Sequence, residues 1–259
     1  MTPSLTFKAK LADPNRRLTQ HICTIPSAVV TQAIVAAGSD SVVIDMEHGA
    51  VDFASGHAMI AATAGTSCAP LVRVSVNDPV QVKRVLDLGA EGIVFPLIRS
   101  ADDARAAVAS MRYPPNGVRG FGPFIAQSRW GTSLADHLEI VDGNLVSSLL
   151  IETPEAVAHI EEICAVPGID LITPALFDLS TTMGLSGQFD HPDFIAAVTR
   201  VETAGKAAAK AAGIPLLGVA LNEAQAQAVL AKGYRVIAGF DILWLRAKAA
   251  ETQGWLAVP

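Results

Sequence analysis

Ser41-Val42-Val43-Ile44-Asp45-Met46-Glu47-His48-Gly49 is the stretch on which the fold turns: a β-branched apolar run breaks off and charged residues follow at once. Three more stretches end in the same way. They are Ala69-Pro70-Leu71-Val72 before Arg73, Leu149-Leu150-Ile151 before Glu152, and Asp170-Leu171-Ile172-Thr173 a few residues ahead of Asp178. In a barrel of parallel strands every such end opens onto one face, so residues far apart in sequence converge there. The pocket expected at that face holds carboxylates, a histidine and an arginine.

Working outward, strand-like runs alternate with helical stretches along the whole chain. The expected strands are Leu18–Ile22, Ser41–Ile44, Pro70–Val72, Gly92–Phe95, Val146–Ile151, Leu171–Thr173, Leu216–Val219 and Val236–Ala238. Between them the spacing and punctuation predict helices at 26–37, 79–89, 101–112, 154–163, 192–212, 222–232 and 240–252. Asp78-Pro79, Thr153-Pro154 and Asn222 open helices, and Gly38, Gly89 and Gly233 close them. This alternation, without a break in composition, predicts a single-domain (β/α)8 TIM barrel spanning 1–259, with a doubly wound sheet as the alternative. One connection, from Tyr113 to about Gly131, is longer than the rest, as lids and interface elements tend to be. Its Gly117-Val118-Arg119-Gly120-Phe121-Gly122 follows a helix instead of a strand, so it is no dinucleotide fingerprint.

With 259 residues, 51% of them hydrophobic, and a mean hydropathy of +0.38, the chain can bury one large core. A formal charge of −6 gives no reason to expect nucleic acid, so a small-molecule ligand is the better expectation. Cys23, Cys68 and Cys164 are widely spaced in apolar surroundings and read as core residues in a reducing compartment. No apolar leader and no uninterrupted membrane-length run occurs, and a cytoplasmic protein without membrane contact is expected.

Glu152 and Asp178 follow neighbouring strands, so two carboxylates approach one point. Held close and uncompensated they repel, and a hard divalent cation completed by water and substrate oxygens relieves that. Mg2+ or Mn2+, with Co2+ as a further choice, suits oxygen ligands better than zinc. The structural alternative makes each residue a helix cap. Arg73 suits a substrate carboxylate or a developing enolate oxygen; the alternative is a salt bridge with Asp45 or Glu47. His48 is placed to act as a general base, with a neighbouring carboxylate fixing its tautomer. None of the seven lysines, at 8, 10, 83, 206, 210, 232 and 248, ends a strand, which leaves carbonyl chemistry without a Schiff-base residue.

Val43-Ile-Asp-Met-Glu-His-Gly49, Val72 to Gly89, Arg112-Tyr-Pro-Pro-Asn-Gly-Val-Arg-Gly120, Ile151-Glu-Thr-Pro-Glu-Ala156 and Asp178-Leu-Ser180 together resemble the HpcH/HpaI family of metal-dependent class II pyruvate aldolases, collinearly over roughly 18–239. The resemblance implies a (β/α)8 barrel that reversibly cleaves 4-hydroxy-2-oxoacids into pyruvate, or a related oxoacid such as hydroxypyruvate, and an aldehyde. It makes Glu152 and Asp178 the metal ligands, Arg73 the stabiliser of the enolate, and His48 the base on the 4-hydroxyl, held by Asp45, with Glu47 behind them. Asp87 matches an acidic residue that reaches a neighbouring subunit's histidine. The resemblance further implies a homo-hexamer, a dimer of trimers, whose last helix, within 240–259, is exchanged between subunits. Phe240 and Trp244, spaced i,i+4, fit an interface stripe on that helix or, equally, packing within their own barrel. Two positions depart from the family pattern: Ala175-Leu176-Phe177 replaces Gly-Pro and a small residue before the metal-binding Asp178, where backbone N–H groups meet the oxoacid carboxylate, and Leu150 replaces a glutamine. An acyl-CoA lyase of the citrate lyase β-subunit type and a catalytically silent oxoacid-binding protein are the rival readings.

Overall fold

The computed structural model describes residues 6–256. All eight expected strands form: β1 Leu18–Cys23, β2 Ser41–Asp45, β3 Ala69–Arg73, β4 Gly92–Phe95, β5 Val146–Ile151, β6 Leu171–Pro174, β7 Leu217–Val219 and β8 Val236–Phe240. Every pairing is parallel, and the strands follow one another in chain order around the sheet, with β8 beside β1. A parallel bridge between Ile172 and Leu216 joins β6 to β7 and brings the sheet round into a nearly closed (β/α)8 barrel. That closure removes the doubly wound alternative.

Strand alternation divides the core in two. Leu18, Val43, Leu71, Val94, Val146, Leu150, Leu171 and Val236 fill the barrel interior, while residues of opposite parity, such as Val42, Ile44, Val72, Ile93, Leu149 and Ile172, pack beneath the helices. The helix Phe7–Ala12 closes the N-terminal end with Phe7 and Leu11, and its buried Lys10 bonds Asp40 and the Ser67 carbonyl. Above the interior layer the inward positions turn polar: Asp45 follows Val43, Arg73 follows Leu71, and Glu152 follows Leu150.

Several helices depart from the expected pattern. Phe53–Ala61 is an additional helix, closed at its start by a reciprocal pair between Asp52 and Ser55. The long connection after Tyr113 carries helices at Ala126–Trp130 and His137–Asp142 instead of running as irregular loop. Phe240 is the last residue of β8 and pairs in register with Ile22, so it is not part of a stripe on the last helix, which spans Asp241–Gly254. Trp244 packs against the His21 ring of its own barrel, and Ile242, Leu243 and Leu245 are the apolar residues this helix exposes. No helix among the described residues is long and apolar enough to cross a membrane.

Candidate active site

The register of β2 and β3 sets Asp45 directly opposite Arg73. Asp45 is wholly buried, and Arg73 donates to it through Nε at 2.9 Å and Nη2 at 2.5 Å. The same carboxylate accepts from the backbone N–H groups of Glu47 and His48, at 3.1 and 3.2 Å. Burial pushes the Asp45 carboxyl up, but the bond and charge of Arg73 and the two backbone donors outweigh it and hold the group below its ordinary range. Asp45 therefore fixes the guanidinium and the turn after β2.

That arrangement corrects one expectation: Asp45 holds Arg73 and the backbone of residue 48, and the imidazole has a different neighbour. His48 Nε2 lies 3.7 Å from Glu47 Oε2, and Glu47 also stands 3.4 Å from Arg73 Nε. Glu47 thus sits between the Arg73 guanidinium and the His48 imidazole, while the His48 side chain, 65% exposed, faces solvent. Burial raises the Glu47 carboxyl above its usual value; Arg73 and His48 pull it down, and Asp45 and Asp178 push it up.

The turn leaves no room at Gly49. A Cβ there would lie 2.3 Å from the Asp45 carbonyl oxygen and 3.1 Å from that of Thr24. We expect Gly49→Ala to force these backbones apart at a cost of about 1–3 kcal/mol, seen as a lowered thermal midpoint; an unchanged midpoint would mean that the turn yields freely.

Glu152, one residue past β5, is 95% buried with its Oε1 bonded to the backbone N–H of Leu97. Leu97 adopts φ 55°, a left-handed conformation that leucine rarely occupies and that held sites can impose. The Glu152 backbone carbonyl accepts from Thr182 Oγ1 at 2.8 Å, tying β5 to the helix Leu176–Thr182. Asp178 lies in the first turn of that helix, exposed, and its charge reaches Glu152, Glu47 and Arg73. Burial raises the Glu152 carboxyl; the Leu97 N–H lowers it, Asp178 and Glu47 raise it again, and Arg73 opposes them. Four carboxylates, Asp45, Glu47, Glu152 and Asp178, therefore gather around one guanidinium at this end of the barrel.

A carboxyl raised in the folded state contributes stability at acid pH that is lost as pH rises through the folded value. In metal-free protein, Glu152→Gln mimics the protonated form. The variant should therefore gain on the wild type at pH 8, and the gain should vanish as pH falls toward the ordinary glutamate range. Melting curves across that range check the sign; a variant less stable at pH 8 than at pH 5, relative to wild type, would contradict it.

Among the described residues no set of three or more His, Cys, Asp or Glu side chains closes on one point. A cation here would be held by the two carboxylates Glu152 and Asp178, with its remaining positions left to water and substrate oxygens. That oxygen-only, partly open set fits Mg2+ or Mn2+ and fits zinc poorly. The charge balance fits too, because burial and mutual repulsion leave Glu152 and Glu47 short of positive charge.

Phe177, 66% exposed beside Asp178, meets Phe189 edge to face at 4.9 Å, and Leu176 stands exposed next to it. Leu150 belongs to the barrel interior below Glu152. Asp87 is not brought to this site within the chain: it ends the helix Pro79–Asp87, where Arg119 Nη2 bonds its Oδ1 at 2.7 Å. Three supports were not anticipated. Leu97 and Thr182 carry no signal in the sequence, whereas Asp241, directly after β8, repeats the pattern of an acid behind an apolar strand. Its carboxylate accepts from the Thr24 and Ile25 backbones and the Thr24 hydroxyl, joining the β1 and β8 ends.

A family model described as HpcH/HpaI aldolase/citrate lyase matches residues 25–246. A 2-dehydro-3,6-dideoxy-6-sulfogluconate aldolase from Pseudomonas putida is 39% identical over 231 residues, 87% of this chain and 87% of its own. A 4-hydroxy-2-oxo-heptane-1,7-dioate aldolase from Salmonella paratyphi A is 38% identical over 222 residues, 85% of this chain and 82% of its own. The crystal structure of an HpcH/HpaI aldolase/citrate lyase family protein from Burkholderia cenocepacia J2315 superposes with a TM-score of 0.86 at 31% identity, covering 96% of this chain and 98% of that one.

Proposed function

The chain belongs to the HpcH/HpaI aldolase/citrate lyase family, and from that premise we propose that it is a divalent-metal-dependent aldolase reversibly cleaving 4-hydroxy-2-oxoacids to pyruvate, or a related 2-oxoacid such as hydroxypyruvate, and an aldehyde. The observation that carries this reading is the pairing of a fixed Arg73 guanidinium with the Glu152 and Asp178 carboxylates at one barrel end, where no lysine stands. The buried lysine, Lys10, is committed to Asp40 at the opposite end.

A divalent ion held by Glu152 and Asp178 supplies, when bound, positive charge that polarises the 2-oxo group. The chain's own residues do the rest. Arg73, with Nε and Nη2 engaged by Asp45, directs Nη1 to the oxygen that gains charge as the C3–C4 bond breaks. His48, at the solvent side, takes the 4-hydroxyl proton through a water, and Glu47 steadies the imidazolium that results. The electrons of the broken bond form the enolate; its protonation at C3 gives the 2-oxoacid. Phe177 and Leu176 wall the oxoacid side, and the first-turn N–H groups of their helix meet its carboxylate.

In a homo-hexamer built as a dimer of trimers, Asp87 of a neighbouring subunit approaches His48. The apolar faces exposed at Ile242, Leu243 and Leu245, and at Phe121, Phe124 and Ile125, support association. Aldehyde-dependent consumption of pyruvate, with and without EDTA, tests the scheme. Turnover should cease on chelation and return with Mg2+ or Mn2+; unchanged turnover without metal would refute it.

A further inference from the structure

At the far end of the barrel from Arg73, a cavity of about 430 Å3 opens between the starts of β7 and β8, the segment before β1 and the long helix Pro192–Ala212. Pro14, Pro215 and Leu216 form apolar walls, and Lys206, Lys210 and Arg235 are its charged lining residues. Among the described residues no carboxylate lines it. Some cations elsewhere are matched to acids: Lys8 to Asp170, Lys10 to Asp40, Arg129 to Glu91 and Arg200 to Glu161.

Lys206 and Lys210 make no ion pair among the described residues, and their i,i+4 spacing sets them on one helix face. Arg235 is fixed by carbonyl oxygens alone, those of Leu11 at 2.8 Å, Gly213 at 3.4 Å and Asp13. Carbonyls orient a guanidinium without neutralising it. Asp13 is the acid whose charge reaches Arg235, and one of its carboxylate oxygens is taken by the Asn15 N–H. Gly233, held at φ 93°, also lines it. Lys210 alone is explained by its place in the last helical turn, where a cation meets the helix dipole. Lys206 stands exposed beside it, and Arg235 is partly buried with no carboxylate bonded to it among the described residues.

The volume falls within the roughly 300–1,000 Å3 of small-molecule sites. We propose that this cavity binds a small, multiply charged organic anion, phosphate- or carboxylate-bearing, at the barrel end opposite the catalytic groups. Because Arg235 ties the segment before β1 to the end of the long helix, occupancy stabilises the fold.

Calorimetric titration and melting curves with pyrophosphate in one arm and tricarballylate in the other test this and separate the two anion chemistries. At least one probe should bind saturably and raise the melting temperature. Lys206→Glu/Lys210→Glu should weaken that binding roughly tenfold or more while leaving aldolase turnover unchanged, and Glu152→Gln should retain it. Lys206→Gln/Lys210→Gln serves should charge reversal prevent folding. Absence of saturable binding by both probes, binding undiminished in the lysine variants, or binding lost in Glu152→Gln would overturn the proposal.

Discussion

Arg73→Ala is expected to lower turnover by about 10²–10³-fold and to destabilise the fold by about 3–5 kcal/mol. The first figure follows from removing a preorganised donor aimed at developing charge. The second follows from Asp45, which is wholly buried and would lose its bidentate cation, keeping only two backbone N–H donors. Because Asp45 titrates below its ordinary value of 3.8, the pair's contribution is complete at neutral pH and is lost only as pH falls through the lowered value. The stability gap between wild type and Arg73→Ala should therefore be flat near neutrality and narrow in strong acid. Adding Asp45→Asn should recover part of the stability and none of the turnover. Arg73→Lys should keep much of the fold but little activity, since a point charge cannot replace the two-pronged pairing. Turnover within a few-fold of wild type in Arg73→Ala would remove this residue from the mechanism.

Glu152→Gln and Asp178→Asn should each reduce metal-dependent turnover on the order of 10³-fold, the loss expected when several kcal/mol of charge stabilisation disappear. Their effects on stability differ. Asp178 is exposed, so its amide should be nearly neutral for folding. Glu152→Gln removes a buried charge that burial and two neighbouring carboxylates already disfavour, so metal-free variant protein should fold at least as well near pH 8. Neither variant should respond to added Mn2+ as wild type does. Full activity in either would sever the carboxylate pair from catalysis.

The barrel was legible because four apolar strands end in charge and strand-like runs alternate with helical stretches along the whole chain, from which the parallel order follows. The unexpected helices carry poor helix formers or lack a side-chain cap. Phe53–Ala61 contains Ser55 and Gly56 and opens on an Asp-Ser pair, and Leu176–Thr182 has no side-chain cap. Convergence of Asp45, Glu47, Arg73, Glu152 and Asp178 was legible as strand-end chemistry. The Arg73–Asp45 pair was legible only as one of two readings of these residues, because the choice depends on β2–β3 register, which aligns Asp45 with Arg73. The left-handed Leu97 has no signature either, since leucine does not favour that conformation and its N–H bonds a carboxylate 55 residues away. Phe240 was misplaced by one element for a related reason: an aromatic at a strand–helix junction satisfies either pattern, and pairing with Ile22 decides it.

Titrating Mn2+ into the purified protein, followed by electron paramagnetic resonance or calorimetry, bears most directly on the shared-cation claim. Wild type should bind one ion per chain, tightened by pyruvate, and both Glu152→Gln and Asp178→Asn should abolish that binding. Undiminished Mn2+ binding in the two variants, or none in wild type, would contradict it.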